Sequence, residues 1–191
     1  MINPEDFYRN LPTLTTKRLV LRKLTIDDMG DYYEFASDTA VTKYLRWEAH
    51  KTRSDTEKHL LSVVTSQEAG TDGVWGIELE TDRRMVGIVH MMDLNARHTR
   101  GEIGFVVARD YWDRGIATEA VGCVLDCAFG LGLNRIQAYC RTDNLRGLKV
   151  LEKCGMPFEG TLRSLAYQKG SLRDFSVYSA LSTDERPGSD L

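Results

Sequence analysis

The run Asp110-Tyr-Trp-Asp-Arg-Gly-Ile-Ala-Thr ends in a short turn with one glycine, directly before the most regular helical pattern in the chain. In that pattern Ala117, Ala120, Val121, Val124, Leu125, Ala128 and Phe129 follow the i, i+3, i+4, i+7 series of an amphipathic helix. Such a turn presents unbonded backbone N–H groups at a helix N-terminus, where the dipole favours an anion such as a pyrophosphate. A purely structural turn has the same composition, so spacing alone leaves both readings open. The second chemical candidate is Glu102, in Gly101-Glu-Ile-Gly-Phe-Val-Val-Ala. It stands two residues before Gly104, and strand alternation puts both on one face. A buried carboxylate there gains the basicity to take a proton; an exposed one paired with an arginine is the plain alternative. Arg146, Lys149 and Lys153 form a basic stripe at i, i+3 and i+7 after Asn144, able to meet a phosphate or simply to face water.

These candidates need a strand, a turn and a helix in sequence, and the pattern supplies them. Lys17 to Leu24 alternates as a half-buried strand, and Thr25 with Asp28 opens a helix. A second helix is expected from Ser54, with Glu57 completing a capping box. Val74–Glu80 and Met85–Met91 read as a hairpin around Thr81-Asp-Arg-Arg, and Gly101–Ala108 as a third strand. Within it Gly104 marks a bulge or a close backbone approach. The helix after Arg114 ends at Gly130 or Gly132. Arg135–Arg141 is again a strand, Asn144–Cys154 a helix stopped by Gly155, and Phe158–Tyr167 with Asp174–Leu181 a closing hairpin. The expectation is one mixed α/β domain over residues 1–191, its sheet mostly antiparallel, with a core over 14–181. Loose ends are expected at residues 1–12 and at 183–191.

With 191 residues, 42% of them hydrophobic, the chain can bury one sizeable core. A net charge of −3 argues against nucleic acid as the main partner. No apolar run reaches the ~18 residues of a membrane span, and MINPEDFYRN has no secretory character, so a cytoplasmic protein without a membrane partner is expected. Cys123, Cys127, Cys140 and Cys154 form no CxxC pair, and reduced thiols within the fold are expected. His50, His59, His90 and His98 show no ligand spacing, so no metal is expected. Gly130-Leu-Gly-Leu-Asn fails as a dinucleotide fingerprint because it lacks the third glycine and follows a helix.

Several ordered segments together resemble the GNAT superfamily of acyl-CoA N-acyltransferases, in particular its RimJ/RimL-like branch of protein N-terminal acetyltransferases. They are Thr16-Lys-Arg-Leu-Val-Leu-Arg with Asp27 and Asp28, Gly101-Glu-Ile-Gly-Phe, and Tyr111-Trp-Asp-Arg-Gly-Ile-Ala-Thr-Glu-Ala. Asn144-Leu-Arg-Gly-Leu-Lys-Val-Leu-Glu-Lys-Cys-Gly and Arg173-Asp174 with Val177-Tyr178 complete the series, which covers residues 14 to 181. The resemblance implies a GNAT fold splayed at a β-bulge, with acetyl-CoA in the gap. Backbone groups of Phe105, Val106 and Val107 would bind acetyl and pantetheine, and those of Arg114, Gly115, Ile116, Ala117 and Thr118 the pyrophosphate. Asn144 would bond the pantetheine arm, Lys149 and Lys153 the 3′-phosphate, and Glu102 would be the base. Trp47 and Glu48 would wall the acceptor pocket.

The implied activity is acetyl transfer to a primary amine, directly within a ternary complex. The branch suggests a protein N-terminal α-amino group, of the ribosomal-protein kind, as acceptor. Polyamines, amino acids and antibiotics stay open on this scaffold, as does a homodimer. Two positions depart from the family pattern: Leu151 replaces a common tyrosine that protonates the departing thiolate, and Gly147 replaces a common serine. A coenzyme thiol with a pKa near ~8.5 is a tolerable leaving group for water to protonate. These departures also admit a rival, a regulatory module that binds acyl-CoA without turnover.

Overall fold

The computed structural model describes residues 2–187. Period-two segments of the sequence become the strands β1 (Leu14–Thr15), β2 (Leu19–Lys23), β3 (Gly73–Leu79), β4 (Met85–Asn95) and β5 (Arg100–Val107). They continue as β6 (Arg135–Arg141), β7 (Phe158–Gln168) and β8 (Ser171–Leu181), all in one sheet ordered β1-β2-β3-β4-β5-β6-β8-β7. The helices are α1 (Pro4–Arg9), α2 (Met29–Ala36), α3 (Thr39–Thr42), α4 (Arg53–Ala69), α5 (Ile116–Gly130) and α6 (Leu145–Lys153). On one face, Ala120, Val121, Val124, Leu125 and Ala128 of α5 close over Leu19, Leu21, Trp75 and Ile77. On the other, Tyr32 and Phe35 of α2 and Leu60 of α4 cover Leu24, Val74, Met85 and Val106. Each large apolar side chain so buried stabilises the fold by roughly 1.5–3 kcal/mol.

Every neighbouring strand pair is antiparallel except β5 and β6, which run parallel because α5 carries the chain back across the sheet. That parallel pair is short, joining Arg100–Glu102 to Arg135–Gln137. Beyond Glu102, β5 continues with β4 alone as far as Val107 opposite Gly87, while β6 continues with β8 to Arg141 opposite Phe175. A gap therefore opens in the middle of the sheet. Gly104 sits at its edge but in regular register with His90; the irregularity in this ladder lies at Met92/Asn95, where Asp93 is left-handed at φ 50°. The interior glycine thus marks the freed edge of the strand and not an extra residue at that point.

Three local expectations are corrected. Residues 2–12 are not loose: Asn3 accepts hydrogen bonds from the Glu5 and Asp6 amides, Pro4 opens α1, and Phe7 and Tyr8 enter the core with Trp75, while residue 1 lies outside the described residues. The capping box of α4 lies two residues early. There Thr52 accepts from the Asp55 amide at 3.2 Å and Asp55 from the Thr52 amide at 2.9 Å. Asp55 wins over Glu57 because its carboxylate also collects the Lys51 amide at 3.0 Å. The described part of the expected tail is ordered as well: Asp184 accepts from the Leu181 amide, and Arg186 pairs with Asp126 and lies over the Phe129 ring. Residues 188–191 of that tail lie outside the described residues.

Candidate active site

The cleft begins where β5 loses β6. The Ala108 amide bonds to the Val86 carbonyl, so ladder alternation directs Val106 toward β4 and Phe105 and Val107 toward the gap. On that side β5 has no ladder partner beyond Glu102, and the Val107 carbonyl receives the Trp112 indole N–H at 2.7 Å. Of the three residues expected to offer backbone groups, Val106 contributes its side chain to the wall.

The turn into α5 uses two left-handed residues, Asp113 at φ 58° and Gly115 at φ 77°. It leaves the amides of Gly115, Ile116, Ala117 and Thr118 without an acceptor among the described residues. Its shape is fixed from a distance that the sequence pattern did not disclose. Arg18 donates to the Arg114 carbonyl at 3.0 Å and pairs with Glu119, whose carboxylate also accepts the Thr16 hydroxyl at 2.6 Å. Glu119 in the first turn of α5 complements the helix dipole, and its acidity is raised by the Thr16 and Arg18 hydrogen bonds against an opposing cost of burial. Gly115–Thr118, Phe105–Val107, Asn144, Lys149 and Lys153 all line one cleft of about 350 Å³. Arg114 does not; its side chain lies over the Tyr111 ring, 5.5 Å from the centroid.

Asn144 caps α6, its Oδ1 accepting the Gly147 amide at 3.2 Å. Its Nδ2 is the group left for a ligand. A Cβ at position 147 would lie 2.6 Å from that Nδ2 and 2.8 Å from the Cys140 sulfur, so glycine there makes room for the cap. Arg146 is taken up by Asp113 at 3.4 Å and by the Trp112 ring. Lys149 and Lys153 have no acidic partner among the described residues. Leu151 is sealed in the core.

On the opposite face Glu102 is 8% exposed at the last position where β5 still pairs with β6. Burial raises its pKa, opposed chiefly by Arg46, whose guanidinium is 4.0 Å away. Glu102 is not among the residues lining the 350 Å³ cleft; it lies across the sheet from α5. Trp47 and Glu48 do not line that cleft either. Trp47 packs against His50 and His59, and Lys169 donates to the Trp47 carbonyl and pairs with Glu48, both at 2.8 Å. The segment between α3 and α4 is thereby tied to the tip of the β7–β8 hairpin. His50 bonds Thr56 at 2.8 Å, His59 bonds the Tyr32 hydroxyl at 3.0 Å, and burial lowers both pKa values. His90 bonds Asp72. All four cysteines are free thiols; burial pushes Cys140 and Cys154 up to about 12 and Cys123 to about 11, which leaves them unreactive. Among the described residues no group of three or more His, Cys, Asp or Glu could hold a metal, and no helix is long and apolar enough to cross a membrane.

A mixed sheet opened beside the unpartnered N-terminus of a helix, with lysines along the next helix, is the architecture of an acyltransferase that takes its acyl group from a coenzyme A thioester. The Acetyltransferase (GNAT) domain profile matches residues 18–157, and the chain belongs to this family. A relative described as an uncharacterized N-acetyltransferase, YoaA of Bacillus subtilis (strain 168), is 31% identical over 175 residues, 91% of this chain and 99% of that protein. The crystal structure of a GNAT-family acetyltransferase from Bacillus anthracis superposes with a TM-score of 0.81 at 26% identity, covering 91% of this chain and all of that one. A RimL ribosomal L7/L12 α-N-protein acetyltransferase in complex with coenzyme A shares the fold at a TM-score of 0.80 and 17% identity, covering 91% and 100%. The protein is an acetyl-CoA-dependent N-acetyltransferase with the mixed, mostly antiparallel GNAT sheet flanked by helices.

Proposed function

We propose that acetyl passes directly from acetyl-CoA to a primary amine inside one ternary complex, with Glu102 accepting the amine's proton. The reading is carried by one observation: Phe105 and Val107, on the stretch of β5 that has left β6, and Gly115 to Thr118 at the start of α5 line a single cleft, and the same strand carries the buried carboxylate of Glu102 three residues before Phe105. The residues present fit coenzyme A. Four consecutive amides at a helix N-terminus suit a diphosphate, Lys149 and Lys153 suit the 3′-phosphate, and Asn144 Nδ2 suits a pantetheine carbonyl. Only one of the amides facing the gap needs to aim at the thioester oxygen; a donor so placed contributes roughly 3–4 kcal/mol to the transition state. The N–C bond forms as the C–S bond breaks, the amine proton goes to Glu102, and the thiolate takes its proton from water. The arrangement needs no covalent enzyme intermediate.

The acceptor we propose is a polypeptide α-amino group. An α-amino group at pKa ~8 surrenders its proton more readily than an alkylamine near ~10.4, and Glu102, although raised by burial, is held back by Arg46. Mixing purified protein with acetyl-CoA and a panel of N-terminal peptides, polyamines and amino acids, while following free thiol, tests both claims. Thiol release driven by peptides supports them; release driven only by polyamines overturns the acceptor. Coenzyme A binding without release on any amine overturns the transfer and leaves a binding module.

A further inference from the structure

We propose that His90, oriented by Asp72, is the outlet through which the proton gathered by Glu102 reaches solvent. The inference rests on the role of Glu102 as base. A buried carboxylate that collects a proton at every turnover must also unload it, and Arg46, the cation beside it, cannot accept one. His90 lies on β4 opposite Gly104, and Met92 lies opposite Glu102. His90 and Glu102 are therefore diagonal neighbours on one face of the sheet, roughly 7–8 Å apart at the backbone, a span that long side chains and one water close.

The ring is set up to receive. Its Nε2 faces Asp72 Oδ1, and a carboxylate can only accept, so Nε2 carries the hydrogen. Nδ1 then holds a free lone pair, with no hydrogen-bond partner among the described residues. Asp72 is fixed in turn by the Gly73 amide at 3.2 Å. The side chains of His90 and Asp72 are 29% and 27% exposed, so the pair spans from the buried base to water. The charged and titratable groups around it are Glu102 and Arg100 from β5, Asp93 on β4, Arg46 before α4 and Tyr8 from α1. Balance is kept: the proton leaves the amine for Glu102, crosses a water to His90 Nδ1, and is lost to bulk solvent.

The test compares kcat and KM across pH for the wild type, His90→Gln, Asp72→Asn and Glu102→Gln. A relay behind the base is expected to carry about a tenfold share of kcat, at the low end of proton-transfer effects. His90→Gln should lose that share while coenzyme A affinity by calorimetry and KM for acetyl-CoA stay unchanged, and Asp72→Asn should lose less. Added imidazole should restore a His90→Ala variant, which a merely structural histidine would not allow. A His90→Gln enzyme with wild-type kcat at every pH, beside a crippled Glu102→Gln enzyme, overturns the relay alone. Full activity of Glu102→Gln overturns the base on which it depends.

Discussion

The two faces of the sheet meet along β5 and offer different chemistry. Toward α5 and α6 lie the main-chain amides of the helix N-terminus and two lysines with no acidic partner among the described residues. Toward α2 and α4 lie Glu102, His50 and His59, whose proton affinities burial shifts. A ligand held on the first face is gripped by geometry. One handled on the second is exposed to proton chemistry. In the proposed reaction the first face holds a polyanionic donor and the second handles an acceptor that must lose a proton.

The contrast breaks most visibly if the base is removed. Glu102→Gln should lower kcat about 10²–10³-fold and leave coenzyme A affinity intact, measured by thiol release and calorimetry. Equal loss of both would mean that the faces are not separate. On the donor side, Gly115→Ala forces a side chain into φ 77° at a cost of roughly 1–2 kcal/mol, seen as a lower melting temperature and about tenfold weaker coenzyme A binding. Lys149→Ala and Lys153→Ala should each weaken coenzyme A about threefold to tenfold, with the loss absent for dephospho-coenzyme A. A loss that persists with dephospho-coenzyme A places the lysines elsewhere.

The smallest effect belongs to the acceptor side. His50 and His59 have folded pKa values below their ordinary 6.5, so the unfolded chain binds protons first as pH falls. Stability is then complete above about pH 6.5 and declines below it. Thermal melts between pH 5 and 7.5 should show that slope, and a His50→Gln, His59→Gln variant should flatten it.

The donor face was readable in the sequence because it depends on contiguous residues. One turn glycine, a helical period and an Asn-capped helix locate the free amides, and the resemblance completed the cleft. What that local reading missed was imposed by distance. Arg18, itself held by Glu119, locks the Arg114 carbonyl from 96 positions away, and the direction of each β5 amide follows from a ladder with β4 that no spacing displays. The acceptor face was less legible for the same reason. Glu102, Arg46, Asp72 and His90 come from four segments, and His90 looked like an ordinary strand histidine until the register placed it beside Glu102. Gly147, read as a missing hydroxyl, is instead the space that lets Asn144 cap its helix.

Lys169 clasps the Trp47 carbonyl and the Glu48 carboxylate across 122 positions of chain. During synthesis, a nascent chain that had emerged only as far as α6 would hold every amide of the cleft yet lack the hairpin that fastens the segment between α3 and α4. That segment therefore gains its anchor last, with the closing strands.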